Sequence, residues 1–166
     1  MTVAVSSSSD VVSSEEYLFL SEGIVLMSEP EWLADGYAKW EGHDPFEDHC
    51  GPMFFKERAD GSFHCLLQTT EKHRNGSGAI HGGALMTYAD YAVFVFARKA
   101  LEGISAVTVT MNCEFTAAGE PGEVLEATGE VVRETGGMVF VRGTITTGDR
   151  VLLNYSSVLK KIRPRG

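Results

Sequence analysis

Cysteine is scarce in this chain, with Cys50, Cys65 and Cys113 the only three among 166 residues. An odd count without CxxC spacing argues against a disulfide framework or a zinc ribbon and fits a reducing, cytoplasmic setting. Basic charge is short as well: 14 Lys and Arg stand against 23 Asp and Glu, for a net charge of -9. That balance excludes a chain-wide electrostatic footprint for nucleic acid or for an anionic membrane surface, so neither is expected as a partner. No apolar run reaches the roughly 20 residues that a membrane-spanning helix needs. The longest, Ala84 to Ala97, is broken by Asp90. The start, Met1 to Val5 and then Ser6 to Ser9, has no basic leader ahead of an apolar stretch. It reads as a flexible Ser-rich tail rather than a secretory signal. What remains is one domain of ordinary size with a substantial core.

The residue that stands out is Asp90, the only ionisable acid between Ala84 and Ala97. A helix built from that segment places a carboxylate where shielding should be greatest. Burial of an unpaired carboxylate costs several kcal/mol or raises its pKa, and such positions are enriched where chemistry occurs.

Around it the pattern is that of an α+β domain. Residues 1–50 read as an N-terminal extension, in which Ser28-Glu29-Pro30-Glu31 resembles a capping box opening a short helix near 30–40 with Trp32, Tyr37 and Trp40. Residues 51–166 carry the domain. Met53 to Arg58 and Phe63 to Thr69 flank Asp60-Gly61 as a hairpin. Gly83 to Ala100 is a long helix without internal Gly or Pro, stopped by Gly103. Val107, Val109, Met111, Cys113 and Phe115 then alternate with polar residues, which is the period of a strand. Turn chemistry at Gly119 to Gly122, Gly136-Gly137 and Gly148-Asp149 separates three more strands: Glu123 to Glu134, Met138 to Thr147 and Val151 to Lys161. Six strands and one helix pack most economically as a mainly antiparallel sheet wrapped around that helix.

The chemistry gathers at the helix start. Free backbone N–H groups there, with the positive end of the macrodipole, can receive developing negative charge, and Gly82 and Gly83 let a ligand approach the backbone closely. Asp90 lies about two turns on, roughly 10 Å, so one chain does not bring both groups to one carbon. A two-fold dimer solves that distance by facing the helix start of one subunit with the carboxylate of the other. Asn75, in the turn Arg74-Asn75-Gly76-Ser77-Gly78, adds a side-chain donor to the set.

With Asn75, His81-Gly82-Gly83, Asp90 and Val107-Thr108-Val109-Thr110-Met111-Asn112 in place, the chain resembles the hotdog-fold acyl-CoA thioesterases of the phenylacetate-pathway type, from about Gly51 to Ile162. The resemblance implies that Gly82 N–H, helped by Asn75, holds the thioester carbonyl. It implies that Asp90 from the facing subunit acts as general base or nucleophile, with Thr108 holding the water. His81 orients the loop or assists the leaving thiolate, and Gly83 belongs to the substrate-binding set. An acyl-CoA substrate, no metal, no redox cofactor and a homodimer or dimer-of-dimers homotetramer follow. A thioester is already activated, so oxyanion stabilisation plus one positioned carboxylate suffices.

Other groups read more blandly. His43 to Cys50 contains His, Asp and Cys, but its spacing fits no defined metal site, and Pro45 argues against a regular helical face, leaving a solvated acidic loop over the sheet edge. Trp40, Phe46, Phe54 and Phe55 suit an acyl pocket or the core. Arg98, Lys99, Lys160, Lys161 and Arg163 suit nucleotide phosphates or open solvent. An enoyl-thioester hydratase lacks its Asp and His pair here, and a non-catalytic acyl-CoA-binding regulator remains the rival of another class.

Overall fold

The computed structural model describes residues 17–20, 23–26, 35–40 and 44–162. It divides into two compact units, residues 1–35 and 36–166. In the first, β1 (Tyr17–Leu20) and β2 (Gly23–Leu26) pair antiparallel, with Tyr17 opposite Leu26. The start of the helix expected near 30–40 lies outside the described residues. Its end is not helical: Ala38–Lys39 forms a short strand, β3, against Phe54 and Phe55. Pairing to a sheet edge outcompetes helix propensity there, because it satisfies backbone groups of both segments at once.

The second unit continues with α1 (Pro45–Cys50), β4 (Met53–Glu57), β5 (Phe63–Gln68), α2 (Gly82–Phe96), β6 (Ser105–Phe115), β7 (Val124–Glu134), β8 (Met138–Thr147) and β9 (Arg150–Ile162). The expected hairpin, long helix and four later strands are present in that order. Among the described residues the sheet has seven strands rather than six, in the order β3-β4-β5-β7-β8-β9-β6, all antiparallel. The extra strand is β3, too short and polar to show a period.

Helix α2 packs on β5, β6, β7, β8 and β9. Leu85, Tyr88, Ala89, Ala92, Val93, Val95 and Phe96 fill the hollow with Cys65, Leu67, Leu125, Ala127, Val141, Ile145 and Leu153. Each such large side chain contributes about 1.5–3 kcal/mol on burial. The Tyr88 hydroxyl donates to Leu125 O at 3.1 Å, so its burial leaves no polar group orphaned. Two glycines make this closeness possible. Gly129 and Gly143 face each other across β7 and β8. A Cβ on Gly129 would lie 2.5 Å from the Phe96 ring, and one on Gly143 2.5 Å from the Tyr155 hydroxyl. The helix ends one turn earlier than its sequence suggests. At Phe96 it gives way to a 3₁₀ turn, Arg98–Leu101, before Gly103 reverses the chain with φ +67°.

Two other expectations change. The acidic stretch before Gly51 is the helix α1, not a loop: Asp44 caps it, its Oδ1 accepting from the Phe46 and Glu47 N–H groups at 3.1 Å, and Pro45 occupies the first turn. Proline there loses no intrahelical bond and is pre-set for helical φ, so it starts the helix rather than breaking it. Asp90 is half-buried within the chain rather than sealed in the core.

Candidate active site

A small hairpin delivers the helix start. His81 N–H donates to His73 O at 2.7 Å, Arg74 bridges Ile80, and Asn75 N–H donates to Ala79 O at 2.8 Å. His73 anchors it from behind. Its ring is buried; Nδ1 accepts from Thr70 N–H at 2.8 Å, which leaves Nε2 to donate to Cys50 O at 2.7 Å and ties the hairpin to α1.

Asn75 is both a turn residue and an oriented donor. Its Oδ1 accepts from Ser77 N–H at 2.9 Å, Ser77 Oγ–H at 2.7 Å and Ala79 N–H at 3.2 Å. Three donors converging on one oxygen fix which end of the amide is which. The NH₂ end has no acceptor among the described residues and is held ready by the turn.

His81 is the N-cap of α2. Its Nδ1 accepts from Gly83 N–H at 2.8 Å, so its neutral ring carries the proton on Nε2. This bond separates the two glycines: Gly83 N–H is taken, whereas Gly82 N–H has no acceptor among the described residues. Gly82 therefore presents the free donor at the positive end of α2. The edge of the Phe115 ring lies beside it, 3.2 Å from where a Cβ would stand.

Asp90 sits eight residues farther along α2, about 12 Å of helix axis. Thr108, pointing inward from β6, donates its hydroxyl to Asp90 Oδ1 at 2.7 Å. The structure thus joins Asp90 to Thr108 and Asn75 to the hairpin of Gly82, and keeps the two pairs at separate places along one helix. Gly82 and Asp90 lie on the face of α2 turned away from the core, beside the β6 edge of the sheet, where His81, Gly83 and Met86 are exposed and Thr87, Asp90 and Phe94 half-buried. The 3.6-residue repeat that buries Tyr88, Ala89 and Ala92 necessarily turns these residues outward. Next to that face runs β6, bonded to β9 on one side and to no strand among the described residues on the other. It carries Val107 and Val109, each about half exposed.

A groove of about 650 Å³ continues the same seam. Its walls include Phe94, one helical turn past Asp90, and Ala106, one pleat before Thr108, together with Trp40, Phe63, Leu101 and Ile104. At its mouth the Arg98 guanidinium stacks on Trp40 and Phe55, 5.2 and 5.0 Å from their ring centres, and Lys99 pairs with Glu57 at 2.7 Å. Of the other aromatic candidates, Phe54 is core and Phe46 is exposed. Lys161 pairs with Glu134, and Arg163 lies outside the described residues.

Sequence reasoning missed Glu47. On α1 it lies three residues before Cys50, hence on the same helical face, and Cys50 packs against the core. Burial, then the carboxylates of Asp44, Asp90 and Asp48, push the Glu47 carboxyl up to about 7. No sequence signal marked it, because its environment is made by α1 packing on α2.

An antiparallel sheet wrapped on one long helix, with oriented donors at the helix start and a carboxylate at mid-helix, defines a hotdog-fold domain equipped for acyl chemistry. The thioesterase superfamily pattern matches residues 77–154, from the turn before His81 into β9. Among solved structures it is similar to a Bacillus halodurans protein determined with CoA, at 26% identity, covering 67% of this chain and 74% of that one with a TM-score of 0.62. It is also similar to a hypothetical thioesterase from Streptococcus pneumoniae determined with coenzyme A, at 21% identity, 69% and 88% coverage and a TM-score of 0.61. The Escherichia coli PaaI protein of the phenylacetic acid degradation operon matches at 21% identity, 72% and 86% coverage and a TM-score of 0.63. No curated protein matches the chain.

Proposed function

We propose that the protein hydrolyses acyl-CoA thioesters to the free acid and CoA, through a site that two subunits share. The observation that carries this reading is the pairing on one outward helix face of a free donor, Gly82 N–H, with a carboxylate oriented by a hydroxyl, Asp90 with Thr108. Gly82 N–H and the Asn75 amide hold the thioester oxygen as it gains charge. Asp90 of the facing subunit removes a proton from the water that attacks the carbonyl carbon, or attacks that carbon itself to form an anhydride that water then hydrolyses. The C–S bond breaks, the thiolate leaves with the electron pair, and the proton taken from water passes to it. Preorganised donors of this kind contribute about 10²–10³ in turnover, and a positioned base about 10²–10⁴.

The dimer rests on two features. Gly82 and Asp90 are too far apart within one helix to meet at a single carbon, and β6 leaves a long apolar edge open beside them. An unpaired edge of that length invites a second strand, and two-fold pairing of β6 with its copy would set the two α2 helices face to face. In this reading the hotdog domain, residues 51–166 with β3 and α1 joined to it, acts as a homodimer or a dimer of dimers in the cytoplasm. The groove beyond Phe94 receives the acyl group, and its Trp40, Phe63 and Phe94 walls favour a bulky apolar or aryl chain.

Thiol trapping over a panel of short, long and aryl acyl-CoAs tests the reaction. Release of free CoA, fastest with aryl or bulky substrates, is expected. Tight binding of the whole panel without release identifies a non-catalytic acyl-CoA-binding protein instead.

A further inference from the structure

We propose that Glu47 is a second carboxylate of the site, a positioning residue that acts on the reaction through the charge it places beside Asp90. The inference rests on the hydrolase reading above. Helix α1 is held against the site from two directions. Its side facing the core carries Cys50, and its C-terminal end is bound by His73 Nε2 on Cys50 O and by Lys72 Nζ on Gly51 O. This puts Glu47 within electrostatic reach of two neighbouring residues of α2, Asp90 and Tyr91.

Tyr91 marks the seam independently. It is 3% exposed, and its hydroxyl is one of two buried side-chain groups without a hydrogen-bond partner among the described residues. A buried hydroxyl without a partner is costly, and at this position it borders a carboxylate that is itself half withdrawn from water. The charges around Glu47 are Asp44 and Asp48 from its own helix and Asp90 from α2, while Arg98 acts on Tyr91 from the other side. Three of these four are negative. Glu47 therefore keeps its proton to about pH 7 and loses it above that.

The consequence follows from where charge moves. As the thioester is attacked, negative charge leaves Asp90 and appears on the thioester oxygen at Gly82. In the shared site proposed above that oxygen is held at Gly82 of the facing subunit, so the charge moves off the group that Glu47 acts on. An ionised Glu47 repels the starting arrangement more than the transition state, so its ionisation speeds the reaction, whether Asp90 acts as base or as nucleophile. Two partly solvated charges at an effective dielectric of about 20, with the charge partly transferred, make this about a three- to tenfold effect.

Two measurements on the full chain test it. First, kcat/KM for an acyl-CoA that the protein cleaves is followed from pH 5 to 9. Wild type is expected to rise through pH 7, and Glu47→Gln to lose that rise and fall about three- to tenfold behind at pH 8. Second, the Glu47 carboxyl is titrated by carbon NMR in wild type and in Asp90→Asn, where its midpoint is expected to move down because one of the repelling charges is gone. A Glu47→Gln profile that keeps the rise, or a Glu47 midpoint indifferent to Asp90→Asn, overturns the proposal while hydrolysis stands. A wild-type protein that cleaves no thioester overturns the hydrolase reading, and the rate role of Glu47 with it.

Discussion

Replacing Asp90 with Asn isolates the chemistry from the fold. The amide oxygen still accepts the Thr108 hydroxyl, which now donates at 2.7 Å to the carboxylate. A hydrogen bond to a charged group contributes about 1.5–3 kcal/mol and one to a neutral group about 0.5–1.5, so the variant loses about 1 kcal/mol there. Removing a half-buried charge offsets part of that loss. Stability should therefore stay within about 1 kcal/mol of wild type, a few degrees in Tm for a domain of this size. Activity should not. An amide neither accepts a proton from water nor attacks a carbonyl, so kcat should fall about 10²–10⁴-fold, equivalent to about 3–5 kcal/mol of transition-state stabilisation. Release of CoA measured by thiol trapping, alongside a thermal melt and a binding isotherm for the same acyl-CoA, separates the two effects. A folded Asp90→Asn protein turning over within tenfold of wild type would refute the assignment and make Asp90 a helix residue held by Thr108 for structure alone.

Thr108→Ala should cost less, about three- to thirtyfold in kcat with KM little changed, because Asp90 keeps its position on the rigid helix and loses only one orienting bond. Gly129→Ala should destabilise by about 1–3 kcal/mol in denaturant titration, since the new methyl meets not only the Phe96 ring but Arg142 O at 2.6 Å, and backbone does not move aside. Glu47 gives a pH signature in stability: its folded pKa lies above its unfolded one, so the folded state binds the extra proton between about pH 4.5 and 7 and gains stability as pH falls through that window. Wild type should thus gain Tm relative to Glu47→Gln on going from pH 8 to pH 5, and a difference that is flat in pH would contradict the burial of this carboxyl.

Much of the architecture was legible because its signals are local. The alternation from Val107 to Phe115 marked β6 as a strand but not its faces, because a bulge between Thr108 and Thr110 leaves Val107 and Val109 outward and Thr108 inward; Gly148-Asp149 marked the turn into β9. The uncharged run after Gly83 could hardly be anything but a buried helix. What failed was set by contacts between distant segments. Ala38–Lys39 has no strand pattern of its own and becomes one only by pairing with Phe54 and Phe55. Pro45 reads as a helix breaker until its position is seen to be the first turn of α1, behind the Asp44 cap. At the site, Asp90 stood out by its isolation in an apolar run, but the expectation that it is buried failed, because the helix repeat turns it outward. Which of the two glycines offers its N–H was equally out of reach, since it depends on the rotamer of His81. Glu47 was invisible for the same kind of reason: the proximity of α1 to α2 is tertiary.

Subunit mixing tests the shared site most directly. Gly82→Pro removes the free N–H while suiting the first helical position, and His81, at φ -67° and ψ 133°, already has the backbone that precedes proline. Asp90→Asn removes the carboxylate. Each variant alone should be inactive. Unfolded together and refolded as an equal mixture, half the dimers pair one of each and hold one intact site of two, so activity should return to about a quarter of wild type. A mixture no more active than its components would contradict the account, because it would place Gly82 and Asp90 of a single chain in the same site.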